Sequence, residues 1–367
     1  MKRTKLYICC GGVLAVLLSA SWIYDSFAPS RHFRTAQLPV LATPLSQPDR
    51  TGETPAKAVF LSGASGESIE GNGKGQSSDR SETMTSSPIQ ENAADLANAS
   101  NLAAASHEPQ RQSSGFNLLV LGLDNKEAGA GRSDSIMVVH VDPQKKTVNI
   151  VSVPRDTRVT LQGIGLTKVN HAYFLGELRG GGKEGTQAAI GAVSSLFDIP
   201  IHYYIKTDLQ GFVAIIDEIG GVDLELTRDM LLSGSGTTLP AGSNHLDGKL
   251  ALQFVRERYS LSGGDFDRQS DQAALLKAVT GKLLSGEKLK TLPGLVRKVL
   301  NDYVDTNLTA ADIVSLALLF KNTDGGIRHF TLPGKPVIEE DPLVGSKLWY
   351  WSADAREVDN IAREYLR

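Results

Sequence analysis

The sequence predicts an α/β protein: a three-layer α/β/α sandwich on a mixed central sheet, preceded by one transmembrane helix and a disordered tether. Three observations predict it. An uncharged apolar run from Leu6 to Tyr24 follows a basic tip, Lys2, Arg3 and Lys5. A long stretch rich in Ser, Gly, Ala, Thr, Pro, Asn and Gln comes next. From Phe116 onward, β-branched runs alternate with segments of helical apolar period.

A run of about 20 apolar residues is long enough to cross a bilayer as a helix. The basic flank on its N-terminal side puts the N-terminus in the cytoplasm and the chain after Asp25 outside. A cleaved signal is the competing reading, with Ser26-Phe27-Ala28 as its cleavage site. The run is long for such a signal and the site lies past its charged end, so residues 1–28 are read as cytoplasmic tip and uncleaved anchor. Both cysteines, Cys9 and Cys10, fall inside the run, which leaves the exported part without a disulfide, a Cys-ligated metal or a thiol nucleophile. Residues 29–113 show no sustained apolar period and bury too little to offset their ordering entropy, and so form the tether.

The third domain covers residues 114–367. Asn117–Leu123 is a buried strand, and Ser135–Val141 and Thr147–Val153 are strands joined by the hairpin-like Asp142-Pro-Gln-Lys-Lys146. Gly180–Gly182 is a loop before a helix over Thr186–Phe197, with Thr186 at its cap. Ile201–Lys206 reads as strand, Asp208–Ile219 as helix and Val222–Leu226 as strand. Asp247 caps a helix that ends near Val255. A longer helix runs from Phe266 to Leu284, another covers Ala310–Phe320, then a strand Ile327–Leu332 and a last helix Asp354–Tyr365.

Charged groups collect where these elements end. They are Asp124, Arg132 with Asp134, Arg155 with Asp156, Lys168 with Asn170, Arg256 with Arg258, and Asp265 with Arg268. Arg155 follows a buried strand that closes at Pro154. Arg256 and Arg258 cannot share one helix face, so both fit one cleft only where the helix has ended. Arg268 falls in the first turn of a helix, where a cation opposes the dipole unless an anion is near. Several arginines with two or more carboxylates suit a metal-bound, multiply charged phosphate, and the chemistry indicated is phosphoryl transfer. Asp124 and Asp134 offer hard oxygen ligands for Mg²⁺ or Mn²⁺. The seven scattered histidines make no zinc pair, and a net charge of −3 without a basic stripe argues against nucleic acid. The segment Gly180–Thr186 is no phosphate loop, because Glu184 follows Lys183 where Ser or Thr is needed.

In order, the segments Asn117–Asp124, Gly131–Asp134, Val151–Thr157, Lys168–Tyr173, Asp217–Asp223, Leu246–Ala251, Val255–Arg258 and Gly264–Arg268 resemble the LytR-CpsA-Psr family of cell-envelope proteins. The resemblance runs from about Phe116 to Leu284 and thins after Leu292. It implies a membrane-anchored phosphotransferase that moves an anionic glycopolymer (teichoic acid, capsule or secondary wall polymer) from a polyprenyl-pyrophosphate carrier to peptidoglycan. The product is a phosphodiester, polyprenyl phosphate is released, and no nucleoside triphosphate is required. By the same resemblance, Asp124 and Asp134 hold Mg²⁺ against the pyrophosphate. Arg155, Arg256, Arg258, Arg268 and Gln272 clamp its oxygens, with Arg132, Lys168 and Asn170 beside them, and Asp265 is the base for the acceptor hydroxyl. It further implies an apolar tunnel for the lipid and an extracytoplasmic domain on a single-pass protein of the cell membrane of a Gram-positive bacterium. The alternative is a non-catalytic binder of polyprenyl phosphates that senses or organises envelope synthesis, and an older label is transcriptional regulator. One departure stands out: the family's Arg-Gln pair appears here as Asp271-Gln272.

Overall fold

The computed structural model describes residues 28–29, 32–33, 38–43, 115–124, 131–261, 265–283, 292–321 and 327–367. The apolar run at 6–24 and most of the tether lie outside these residues. No helix among the described residues is long and apolar enough to cross a membrane.

Three strands lead, β1 (Phe116–Asp124), β2 (Arg132–Asp142) and β3 (Thr147–Ser152), paired antiparallel in sequence order. The β2–β3 connection is the hairpin its Asp-Pro sequence predicts, with the Asp142 carboxylate accepting from the backbone N–H groups of Gln144 and Lys145. The short hairpin β4 (Arg158–Leu161) and β5 (Gly165–Lys168) follows, then the kinked helix α1 (Asn170–Phe197). Next come β6 (Tyr203–Asp208), which lies parallel to β1, and helix α2 (Leu209–Glu218). A satellite layer is built from β7 (Val222–Leu226), β8 (Met230–Leu232), β9 (Thr237–Leu239), β10 (Gly242–Leu246) and helix α3 (Gly248–Arg256). Helices α4 (Asp265–Leu283) and α5 (Leu292–Asp302), strand β11 (Asp305–Thr306) and helix α6 (Ala310–Lys321) lead to β12 (Ile327–Thr331). The hairpin β13 (Gly334–Asp341) and β14 (Ser346–Ala353) precedes the last helix, α7 (Ala355–Tyr365).

The central sheet has the order β11-β6-β1-β2-β3-β12. It is mixed as expected, because β6 and β12 join parallel to β1 and β3 while the β1–β2–β3 meander is antiparallel. Period-two alternation splits its apolar residues between two layers. Leu119, Leu121, Ile136 and Val138 pack with α1 and α7, whereas Leu118, Met137, Val139 and Ile150 pack with Leu316 and Leu319 of α6. A third cluster joins α2, α3 and α4 to β7–β10.

Two expectations need correction. The helix at 186–197 begins sixteen residues earlier, at Asn170, and Thr186 is an interior residue rather than a cap. Its hydroxyl donates to the Gly182 carbonyl and accepts from Lys206. The predicted loop at Gly180–Gly182 is a kink, with Gly181 at φ 78° where a side chain would be strained. Secondly, part of the supposed tether lies on the domain: Phe33 is buried, and Leu41 and Ala42 pair with Ile201. Isolated apolar residues carry no period, so composition could not reveal this contact. The β4–β5, β8–β9 and β13–β14 hairpins and α5 were not read from the sequence.

Candidate functional site

Strands β1, β3 and β6 all end at one rim of the sheet, and β2 begins there. The register between β1 and β2 shifts at that rim: Gly122 faces Ser135 and Leu123 faces Ser133, so Asp134 is the extra residue of a bulge. A bulge breaks the alternation and re-aims a side chain. Asp134 is thereby half-buried at the rim, where its Oδ1 accepts from Arg155 Nη1 at 2.7 Å. Arg132 faces Asp124 across the strand ends, and its guanidinium lies 5.3 Å from the Phe174 ring centre.

Arg155 follows the end of β3 and is held from both sides. Asp156 Oδ2 is 3.6 Å from its Nε, and its backbone carbonyl accepts from the Asn170 N–H. Asp156 also accepts from Lys168 Nζ at 2.5 Å. Asn170 opens α1 and is buried, and its Oδ1 has no hydrogen-bond partner. The rim thus carries Asp134, Arg155, Asp156, Lys168 and Asn170 in one connected group.

Helix α4 joins that group through Gln272, whose Oε1 accepts from Ser135 Oγ at 3.0 Å and whose amide donates to the Val255 carbonyl at 3.3 Å. Val255 precedes Arg256, the last residue of α3, so the helix does end where the paired arginines require it. Arg256 and Arg258 are exposed, and Glu257 between them is buried. Burial alone would raise the Glu257 pKa. The backbone N–H groups of Ser260, Ser233 and Arg258 and the Ser233 hydroxyl outweigh it and hold the carboxyl at about 2. This carboxylate shapes the turn that presents Arg258. Arg268 is buried in the first turn of α4. Asp265 begins that helix, and its side chain lies outside the described residues.

Asp124 and Asp134 sit on adjacent strand ends, but no group of three carboxylate, His or Cys ligands occurs among the described residues. Two carboxylates are what Mg²⁺ commonly takes from protein when phosphates and water complete its shell. The donor set therefore fits a cation shared with a bound pyrophosphate, although Asp134 is engaged by Arg155 here.

A cavity of about 710 Å³ opens beside the end of β1, lined by Tyr173, Glu177, Lys206, Asp208, Gln210 and Asp305 among others. A second, of about 220 Å³, lies between α4 and β7. Neither is the apolar tunnel that the resemblance implies. Between the sheet and α4 and α6 lie the apolar side chains of Leu118, Met137, Val139, Leu276, Leu316 and Leu319.

The substituted position has a clear place. Asp271 lines the second cavity with Asp267, Arg228 and Glu225, whereas Gln272, one residue on, reaches Ser135. Asp271 is thus a residue of the α4–β7 seam. Burial, then the nearby Asp267 charge, raises its pKa to about 6, and Arg228 opposes the rise. A carboxyl with a raised folded pKa binds its proton more tightly in the folded state, so stability falls as pH rises from about 4 to about 6. Asp271→Asn is expected to be more stable than the parent at pH 7 and to lose that slope. Thermal unfolding midpoints across pH 4–8 check this, and parallel profiles for the two proteins would rule it out.

With the geometry in place, comparison with known proteins decides the family. The LytR_cpsA_psr family pattern matches residues 78–366. The chain belongs to the LytR_cpsA_psr family. It is 32% identical over 253 residues to the polyisoprenyl-teichoic acid–peptidoglycan teichoic acid transferase TagU of Bacillus mycoides, covering 68% of this chain and 78% of that protein. The TagU of Oceanobacillus iheyensis is 30% identical over 254 residues, 69% of this chain and 76% of the relative. Among solved structures, B. subtilis TagV superposes with a TM-score of 0.58 at 28% identity, over 69% of this chain and 96% of TagV. The mixed-sheet α/β architecture of this LytR_cpsA_psr chain is therefore that of its relatives.

Proposed function

We propose that this LytR_cpsA_psr chain is a membrane-anchored phosphotransferase that moves an anionic glycopolymer from a polyprenyl-pyrophosphate carrier to peptidoglycan. The observation that carries the reading is the Asp134–Arg155 pair at the strand rim, with Lys168, Asp156 and Gln272 around it. The family relatives named as teichoic acid transferases support it. The pair is partly exposed on both sides, and such pairs are worth only about 0–1 kcal/mol. A phosphate oxygen can therefore replace Asp134 on Arg155 at little cost, which frees Asp134 for a cation.

In the reaction, an acceptor hydroxyl oxygen attacks the phosphorus that bears the glycopolymer. The bond from that phosphorus to the bridging oxygen breaks, polyprenyl phosphate leaves with the electron pair, and the hydroxyl proton passes to a base. Arg155, with Arg256, Arg258, Arg268, Arg132 and Lys168, spreads the negative charge that gathers on the leaving phosphate. Gln272 and Asn170 offer neutral hydrogen bonds to the same oxygens. Asp265 is assigned the proton on family resemblance. Mg²⁺ or Mn²⁺, held by Asp124 and Asp134, would supply further neutralisation when bound. The lipid chain would have to part the leucines between the sheet and α6. The apolar run behind the basic tip Lys2, Arg3 and Lys5 supports an anchor with the domain outside the cell.

The test supplies the purified full-length chain in detergent with a polyprenyl-pyrophosphate-linked glycopolymer, peptidoglycan and Mg²⁺. Attached polymer and free polyprenyl phosphate are expected in equal amounts, with loss of both on chelation and in Asp124→Ala. Tight lipid binding without product would instead support the sensor reading.

A further inference from the structure

Described residues soon after the proposed anchor pack on the base of the domain. Ala28 and His32 make a helical turn, and the buried Phe33 ring sits 4.5 Å from Phe116, at the start of β1, and 6.2 Å from Tyr203, at the start of β6. His32 Nε2 is 2.7 Å from Asp312 Oδ1 on α6. Farther on, Leu41 N–H donates to the Ile201 carbonyl at 2.8 Å, and Ile201 N–H returns a bond to Ala42 at 3.2 Å. Gln187 of α1 donates to the Leu41 carbonyl. Phe33 and Leu38 join the apolar layer under α6, whereas Leu41 and Ala42 join the layer under α1. The described residues of the segment therefore touch both apolar layers at the base of the sheet.

The geometry points to residues 28–43 as a strap that holds the domain base-first at the membrane, and this rests on the anchor proposed above. Phe33 stands eight positions after Asp25, and an extended chain spans at most about 3.6 Å per residue, so the base lies within roughly 30 Å of the anchor's end. Ala42, before residues 44–114, pairs with Ile201, and Gly115, after them, lies beside His140 and Val141, so both contacts fall at the same base. Released from the strap, the chain from 26 to 114 could extend roughly 300 Å, so docking decides whether the domain works near the bilayer or far into the wall. The rim that carries Arg155 stands about nine strand residues from the base, close to 30 Å along the sheet.

Energy transfer to a lipid dye tests this on the full-length chain in vesicles, with Cys9→Ser and Cys10→Ser and one donor-labelled cysteine. The label goes to Gln144→Cys, in the hairpin at the base, or Lys183→Cys, near the rim. The base label is expected to transfer at least twofold more efficiently than the rim label. A Gly-Ser insert of about 20 residues between Ser26 and Phe27 leaves the domain untouched and is expected to cut the base signal severalfold. Phe33→Asp with Leu41→Asp is expected to do the same and to abolish hydrogen-exchange protection of the backbone amide at position 41, which in the parent bonds Ile201. Equal signals from both labels, or an insert without effect, would show that residues 44–114 are the true tether and overturn the strap. A chain that fails to float with vesicles would remove the anchor, and the holding role with it, whereas transfer activity in detergent would still stand.

Discussion

Arg155→Ala is expected to lower glycopolymer transfer by about 10²–10³-fold while shifting thermal stability little. The rate effect follows from position. Arg155 is held by Asp134 on one side, Asp156 on the other and the start of α1 through its own carbonyl. A guanidinium fixed before substrate arrives need not reorganise as charge gathers on the leaving phosphate. The small stability effect follows from exposure, because Arg155 and Asp134 are each about a quarter to a third accessible, at 25% and 31%. Water can take over the hydrogen bonds of the carboxylate left behind. Arg155→Lys keeps the charge but loses the planar fork, so its rate should fall between parent and alanine. Asp134→Ala with Arg155→Ala should cost much less than the product of the single losses, since both act on one phosphate group. Rates for Arg155→Ala within a few-fold of the parent would end the assignment of this rim as the reactive centre.

Much of the rim was legible because its charged residues follow strongly apolar strands, and apolar strands are easy to place. Asp124 and Arg155 were located this way, and the break after Arg256 was located from two arginines that cannot share one helix face. What the sequence could not show was the bulge at Asp134, since one extra residue in a strand leaves no mark on composition. Asp156 stood in the same short segment as Arg155, yet its two cations, Arg155 and Lys168, come from different elements and meet only in the fold. The Asp271-Gln272 departure was visible but not readable. Neighbours on a helix point about 100° apart, and only packing reveals that Gln272 faces β2 while Asp271 faces β7. The hairpins β4–β5 and β13–β14 were missed because their strands lie partly exposed and lack a sustained apolar alternation.

One residue of those hairpins carries the second large effect. Asp341 is 1% exposed, at the end of β13. Its Oδ2 accepts from the Thr167 hydroxyl at 2.8 Å and the Tyr350 hydroxyl at 2.6 Å, and its Oδ1 accepts from the backbone N–H groups of Leu343 and Val344. Asp341→Ala would orphan four donors, two of them on β5 and β14, and is expected to destabilise the domain by about 3 kcal/mol or more. Asp341→Asn keeps an oxygen for the turn and should cost less. Burial alone would raise the Asp341 pKa, but the hydroxyls of Tyr350 and Thr167 and the two backbone N–H groups outweigh it and hold it below the ordinary value. A depressed folded pKa contributes stability that is complete above about pH 4 and lost as pH falls through the folded value. The parent should therefore lose stability more steeply below pH 4 than Asp341→Asn. The consequence reaches the rim, because Thr167 precedes Lys168 on β5 and also bonds His171 in the first turn of α1. With that anchor loosened, Lys168 and Asp156 no longer hold Arg155 from one side. Asp341→Asn that stays folded at pH 7 should accordingly transfer severalfold more slowly at unchanged donor affinity. Full activity in a folded Asp341→Asn would show that this hairpin supports the fold alone.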